Sequence, residues 1–186
     1  MTWVIWLTGC PGSGKTSVAR EFSALLTCEY EMLRLDEFRK KLVPEPQYTE
    51  EEREIVYNAV GVMASLLAQH SVNVIVDATA HRKKWRDRAR DLIDEFYEVY
   101  IKCPLDVCMQ RESERIDNLI VSEMYRKAIE RKKRIERGEK VRKSEVGDVI
   151  GVDVPYEVPE NPELVIESER ITPEEGARMI YTMLYG

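Results

Sequence analysis

Histidine and cysteine are scarce in this 186-residue chain: His70 and His81 stand alone, and Cys10, Cys28, Cys103 and Cys108 form no C-x-x-C pair. Structural zinc needs Cys and His clustered at short spacing, so no zinc module is expected. A disulfide framework is not expected either, because a chain of this length can bury a substantial core without cross-links. Cys28 and Cys103 read as small core or strand-end residues. Cys10 sits within a glycine-rich loop, where sensitivity to thiol reagents is expected. No apolar run approaches the length of a membrane span, and Met1 leads straight into a first apolar strand, so neither a membrane segment nor a signal peptide is expected. Positive charge is also wanting: 28 Lys and Arg face 34 Asp and Glu, for a formal net charge of −6. That balance argues against a global nucleic-acid binder. No internal repeat or low-complexity linker divides the chain. Residues 1–186 are therefore expected to form one domain in a reducing, cytoplasmic setting.

What the chain does have begins at Gly9. Gly9-Cys10-Pro11-Gly12-Ser13-Gly14-Lys15-Thr16 satisfies G-x-x-x-x-G-K-[ST] in full. Trp3 to Thr8 before it is a β-branched apolar run that reads as a buried strand. Ser17 to Leu26 after it carries apolar residues at helical spacing. Glycines allow a tight turn whose backbone N–H groups face phosphate, and the following helix adds the positive end of its dipole. These eight residues, with Ser17, are the candidate ATP-binding residues. Lys15 is expected to reach the β- and γ-phosphates and the Thr16 hydroxyl to bind Mg²⁺.

Strand and helix then alternate. Tyr30 to Asp36 reads as a strand ending on an acid, followed by a short helix and a turn at Pro44 and Pro46. Thr49 with Glu52 forms a capping-box pattern ahead of a long helix. Val72 to Thr79 is the clearest buried strand. A helix over Arg82 to Phe96, a strand over Tyr97 to Cys103 and a helix opened by Pro104 come next. Glu163 to Ser168 is a last strand, and Pro173 opens a last helix to Leu184. Such alternation means an α/β fold in three layers, a parallel sheet covered on both faces, with ligands at the carboxyl ends of the strands.

Asp36 and Asp77 both end predicted strands and so converge on that edge. Asp36 could take a proton from an acceptor oxygen or help hold Mg²⁺, and Arg39 could clamp an anionic acceptor; the plainer reading makes Asp36 a helix N-cap. Asp77 could order Mg²⁺ in the manner of a Walker B acid, or merely pair with Arg82. Arg126 to Lys143 carries ten basic and three acidic residues, which leaves −13 for the rest of the chain. A basic helical insertion at about 112–148 suits a lid over phosphates, and its arginines, with Arg111 and Arg115, could neutralise charge on a transferred phosphoryl group. Solvated helix faces explain most of these charges individually.

At the C-terminal end, "GVDVPYEVPENPELVIESE" (Gly151 to Glu169) resembles the G-I-D-D-P-Y-E-x-P-x-x-P-E-L pattern of adenylylsulfate kinases. "WLTGCPGSGKTSVA" is similar to the W-L-T-G-L-S-G-A-G-K-S-T-x-A of that family, "PLDVCMQR" to its P-L-E-V-C-E-x-R, "MYRKA" to its L-Y-K-K-A, and "YTEEER" to its F-S-E-E-D-R. The resemblance implies a P-loop nucleoside-monophosphate-kinase-like fold with a helical lid. It also implies transfer of the ATP γ-phosphate to the 3′-hydroxyl of adenosine 5′-phosphosulfate. By the same resemblance Asp36 lies near the acceptor hydroxyl, Arg39, Arg53 and Lys127 belong to the acceptor site, and Tyr48 stands for an aromatic beside the acceptor adenine. Lys15, Asp36 and Arg111 are then the catalytic candidates, and Thr16 and Asp77 the metal candidates. The departures are Val56 for a family Asn, Asn58 for a family Arg, "ATAHR" for I-S-P-Y-R, and Val149 for a Phe that stacks on the acceptor base.

Two alternatives follow from those departures and from the basic segment. The same machinery could serve another acceptor, such as a different nucleotide, a sugar or a nucleic-acid end. A nucleotide switch or RNA-binding module is the other class. A Ras-type GTPase would need N-K-x-D, which is missing, and RNA binding by the lid would weaken steeply with salt. Oligomeric state is open, a homodimer included.

Overall fold

The computed structural model of the protein describes residues 2–114, 119–140 and 149–186, without the side chains of 119–124. Arg115 and part of the expected lid span thus lie outside the described residues.

Five strands form one parallel sheet in the order β2-β3-β1-β4-β5: β1 (Val4–Thr8), β2 (Tyr30–Arg34), β3 (Asn73–Asp77), β4 (Phe96–Lys102) and β5 (Leu164–Glu167). The central strand β1 is buried throughout, and its side chains alternate between two cores. Val4 and Trp6 join Val56, Val60, Val76 and Trp85 on one face; Ile5 and Leu7 join Val18, Phe22, Ile101 and Ile180 on the other. Helices α2 (Leu35–Leu42), α3 (Glu50–Gln69) and α4 (Lys83–Leu92) cover the first face, and α1 (Lys15–Leu25) and α7 (Pro173–Tyr185) the second. Period-two alternation on a strand covered on both faces gives this three-layer arrangement. The α/β, P-loop-kinase-like expectation is met.

Three local expectations change. The helix anticipated through Phe96 stops at Leu92, because Ile93 and Phe96 are buried and Phe96 pairs with Val4 as the first residue of β4. Burial in the sheet outweighs helix periodicity there. Strand β2 ends at Arg34, so Asp36 ends no strand; it lies exposed in the first turn of α2, whose N-cap is Arg34 rather than Asp36. The capping box at Thr49 is half formed: the Thr49 hydroxyl accepts from the Glu52 N–H. The Glu52 carboxylate instead accepts from the N–H groups of Gln47 (2.5 Å) and Tyr48 (3.0 Å). The reciprocal box occurs at Thr172 and Glu175, opening α7.

The insertion before β5 carries α5 (Leu105–Glu114) and α6 (Leu119–Glu136). Tyr125 and Ala128 of α6 bury themselves against Val149, with Leu105, Met109 and Val152 alongside. Val149, at 5 % exposure, is packing at the base of this insertion and offers no surface to a bound base. Val56 likewise lies wholly within the α3 core. These two of the departures from the family pattern are thus apolar residues buried in apolar clusters.

Candidate functional site

The loop from Gly9 to Gly14 joins the carboxyl end of β1 to α1. Gly12 takes φ 80°, and a Cβ there would fall 2.4 Å from the Cys108 carbonyl oxygen, so only glycine fits without displacing α5. Gly14 takes the left-handed conformation as N-cap of α1, without a side-chain cap and without acids in the first turn. The leading N–H groups of α1 are thus left for an external anion.

Lys15 is nearly buried, and its ammonium donates to the carbonyls of Gly9 (3.0 Å) and Cys10 (2.8 Å). The Thr16 hydroxyl donates to the Asp77 carboxylate at 2.6 Å, bringing the two metal candidates together across 61 residues of sequence. Hydroxyl and carboxylate oxygens beside a phosphate-type loop are the donors Mg²⁺ prefers, since it keeps several waters and shares phosphate oxygens. The expected alternative partner of Asp77 is overturned: Arg82 pairs with Glu50 and Glu157, while the cation nearest Asp77 is Arg34, with 3.8 Å from its Nε to the carboxylate.

Arg111 was expected among lid arginines at a phosphoryl group. It lies in the last turn of α5 and ties the loop to the residue that follows β5. Its guanidinium donates to the Ser168 carbonyl (2.6 Å), the Ser168 hydroxyl (3.1 Å) and, more weakly, the Ser13 carbonyl (3.4 Å). Ser168 itself donates to Ser13 at 2.7 Å, and the Tyr125 phenol donates to the Pro11 carbonyl at 3.1 Å. Sequence reasoning missed Ser168 and Tyr125 because nothing in their local pattern ties them to residues more than 100 positions away. A cavity of about 220 Å³ opens beside Arg111, lined also by Gly14, Ser17, Val18, Thr172 and Pro173. Burial pushes the Cys10 thiol up, which disfavours the thiolate that thiol reagents attack. Cys28 is exposed rather than part of the core.

At the same sheet edge, α2 and α3 bring the acceptor-side candidates together. Arg39 is buried at 4 % exposure, paired with Glu52 and with its guanidinium 5.0 Å over the Tyr48 ring. Tyr48 holds φ 56° and leaves half its surface exposed. Burial alone would raise the Glu52 carboxyl; the Gln47 N–H, the Arg39 guanidinium and the Tyr48 N–H outweigh it and hold it below the usual range. Tyr57 stacks on Trp85 at 4.3 Å and accepts from the Ala80 N–H at 2.8 Å. Its phenol is pushed up to about 12, by burial first, with Arg39 and Arg53 opposing and Asp36 adding to the rise. Asp36 and Arg39 lie on α2, and Arg53 and Tyr57 on the α3 helix that packs beside it. Lys127 is separate, exposed on α6.

His81, which the sequence marked only as isolated, is fully buried at the turn between β3 and α4. Burial, then Arg53 and Arg82, bring its pKa down to about 3, so the ring is neutral. Among the described residues neither ring nitrogen has a hydrogen-bond partner, and Glu50 approaches Nε2 only to 3.9 Å.

The adenylylsulphate kinase family model matches residues 1–167. The chain is 34% identical over 173 residues to the probable adenylyl-sulfate kinase of Archaeoglobus fulgidus, covering 91% of this chain and 98% of that one. To the adenylyl-sulfate kinase of Halothermothrix orenii it is 32% identical over 183 residues, covering 97% and 88%. Among solved structures, the APS kinase of Mycobacterium tuberculosis in complex with AMPPNP and APS superposes with a TM-score of 0.79 at 26% identity, covering 100% of this chain and 98% of that one. A shikimate kinase from Acinetobacter baumannii, at 16% identity and TM-score 0.57, shares the fold.

Proposed function

The chain belongs to the adenylylsulphate kinase family, and on that premise we propose that it transfers the γ-phosphoryl group of ATP to the 3′-hydroxyl of adenosine 5′-phosphosulfate. The products are 3′-phosphoadenylylsulfate and ADP. One observation carries the reading beyond the family: a phosphate loop completed by the Thr16–Asp77 contact lies in the same domain as a buried Arg39 that pairs with Glu52 and sits over the half-exposed Tyr48 ring. Donor and acceptor machinery then face each other across the end of β1.

In this reading residues 1–186 act as a single kinase domain with a basic lid at about 112–148. Gly9 to Ser17 wrap the ATP phosphates with backbone N–H groups, and Lys15 turns from the loop carbonyls to the β- and γ-phosphates. Thr16 and Asp77 would hold Mg²⁺, which supplies neutralising charge at the phosphates. The cavity beside Arg111 takes the donor base, with Arg111 fixing the loop from behind. Asp36, exposed in the first turn of α2, receives or orients the acceptor hydroxyl. Arg39 and Arg53 stabilise the anionic acceptor, Tyr48 offers its exposed ring face to the acceptor base, and Lys127 closes from the lid. The enzyme works in the cytoplasm, as a monomer or a homodimer. No helix among the described residues is long and apolar enough to cross a membrane.

A second reading keeps the donor site and changes the acceptor. The buried, neutral His81 within "ATAHR" favours it, since this part of the acceptor side differs in chemistry from the family pattern. ADP release from Mg²⁺-ATP, with adenosine 5′-phosphosulfate beside a panel of nucleotides, sugars and RNA ends, separates the two. Turnover dependent on adenylylsulfate with 3′-phosphoadenylylsulfate as product is the expected result. A response to another acceptor alone would replace the first reading by the second.

A further inference from the structure

The Pro155-Tyr156-Glu157 segment does more than connect the lid to β5. Tyr156 donates to or accepts from the Thr8 hydroxyl at 2.8 Å, at the last residue of β1, and stacks on Tyr100 with 5.8 Å between centroids. Every polar group of Glu157 is bound to the turn between β3 and α4 or to α4 itself. Its backbone N–H donates to the His81 carbonyl (2.9 Å) and its carbonyl accepts from Arg86 (2.7 Å). Its carboxylate accepts from the Lys83 N–H (2.6 Å) and from Arg82 (3.0 Å). Helix α4 lacks a side-chain cap of its own, so the Lys83 contact is a cap supplied from 74 residues away. Arg82 spans onward: its Nε donates to Glu50, the first residue of α3, at 3.1 Å. On the lid side, Asp153 pairs with Arg131 of α6 and accepts from the Val149 N–H at 3.0 Å.

We propose that the Glu50–Arg82–Glu157 bridge is a positioning device that sets the first turn of α3 against the strap returning from the lid. It thereby orients Arg53, and through Glu52 the Arg39–Tyr48 pair, for the acceptor. What the bridge positions rests on the function proposed above. The bridge is suited to the task because both carboxylates reach one guanidinium from different elements. It also balances charge: Arg53, Arg82 and Arg86 all act on the buried His81, and Glu157 is the carboxylate that opposes them there. Nothing in the bridge touches the phosphate loop, so its effect falls on one substrate and spares the other.

The bridge is distinguishable from a plain helix cap, since Glu50 does not contact the α4 N–H groups. Wild type, Glu157→Gln, Glu50→Gln and the double variant are compared by steady-state kinetics with donor and acceptor varied separately. Backbone hydrogen exchange over residues 45–57 is followed in parallel. Glutamine preserves size and an acceptor oxygen, so the cap survives while the charge is lost. Each single variant is expected to raise the acceptor KM by about threefold to tenfold with the ATP KM unchanged. The double variant should add little, because the two carboxylates act through one guanidinium. Exchange at 45–53 should quicken in both single variants. A kinetically silent Glu50→Gln, or equal shifts in both KM values, would overturn the proposal. If wild type shows no turnover with adenylylsulfate, the proposed function fails, and exchange alone then judges the bridge. Quickening at 45–53 in both variants supports it, and an unchanged segment refutes it.

Discussion

At the proposed donor end, eight consecutive residues form the loop, and their backbone N–H groups are the groups offered to phosphate. At the acceptor end, helical spacing pairs Asp36 with Arg39 on α2 and Arg53 with Tyr57 on α3, but only the packing of the two helices and the loop brings these pairs and Tyr48 to one side of the sheet. They come from two helices and a loop, with Arg39 held by its ion pair to Glu52 and Tyr48 by its N–H to the same carboxylate. Backbone recognition depends on a local conformation that glycines and a helix start impose in any similar setting. Side-chain recognition depends on which elements pack together, so it is where a family can change acceptor while keeping its donor. The strap from Asp153 to Glu157 belongs to neither end: Tyr156 meets Thr8 at the end of β1, and Glu157 reaches α3 only through Arg82 and Glu50.

The sharpest break of this contrast is at Lys15. Lys15→Ala should lower kcat by roughly 10²–10³-fold, the usual cost of removing one charge-stabilising donor, while leaving thermal stability near wild type; ADP-release kinetics beside a melting curve would check it. Next comes the metal pair. Asp77→Asn keeps a partner for the Thr16 hydroxyl yet removes the charge, and the Mg²⁺ concentration for half-maximal rate should rise about 10–100-fold. An unchanged Mg²⁺ requirement would dissociate Asp77 from the metal. On the acceptor side Tyr48→Ala should weaken acceptor binding by about 1–3 kcal/mol, the range for base–aromatic stacking, without touching donor affinity; calorimetry with each ligand separately reads this.

The smallest expected effect concerns His81 and pH. Its folded pKa, about 3, lies below the ordinary value of 6.5. The folded state therefore favours the neutral ring, and that stability is present above pH 6.5 and lost as pH falls towards 3. Between pH 6.5 and 5 the carboxylates remain ionised, which isolates the histidine. Wild type should lose about 1–2 kcal/mol of unfolding free energy across that window, and His81→Gln should lose less. Denaturant titrations at the two pH values provide the comparison, and equal losses in the two proteins would show that the ring is solvated.

How much of this was readable in advance differs by element. The run Trp3 to Thr8, the glycine loop and the helix behind it announced β1, the phosphate loop and α1 through short-range pattern. Phe96 did not announce itself: helical periodicity claimed it, and pairing with Val4 in the sheet took it. Glu52 carried a capping-box signal, but its carboxylate serves Arg39, Gln47 and Tyr48 because the folded loop presents more donors than the helix end alone. Val149 and Val56 stood out as departures from a pattern, yet their burial makes them core residues. Arg111 was marked by sequence for a phosphoryl-group role, and its contacts to Ser13 and Ser168, made across the fold, had no local signal.

The sequence by itself determined the layer architecture, the phosphate loop and its lysine, because strand alternation, glycine conformations and helix starts are set within a few residues. Only the tertiary structure decided that Thr16 meets Asp77 and that Arg82 turns away from Asp77 to join Glu50 with Glu157. It alone decided that a histidine with no local signal lies fully buried against Trp85. Those contacts are made by side chains from separate elements, and their partners are fixed only when the sheet order and helix packing are complete.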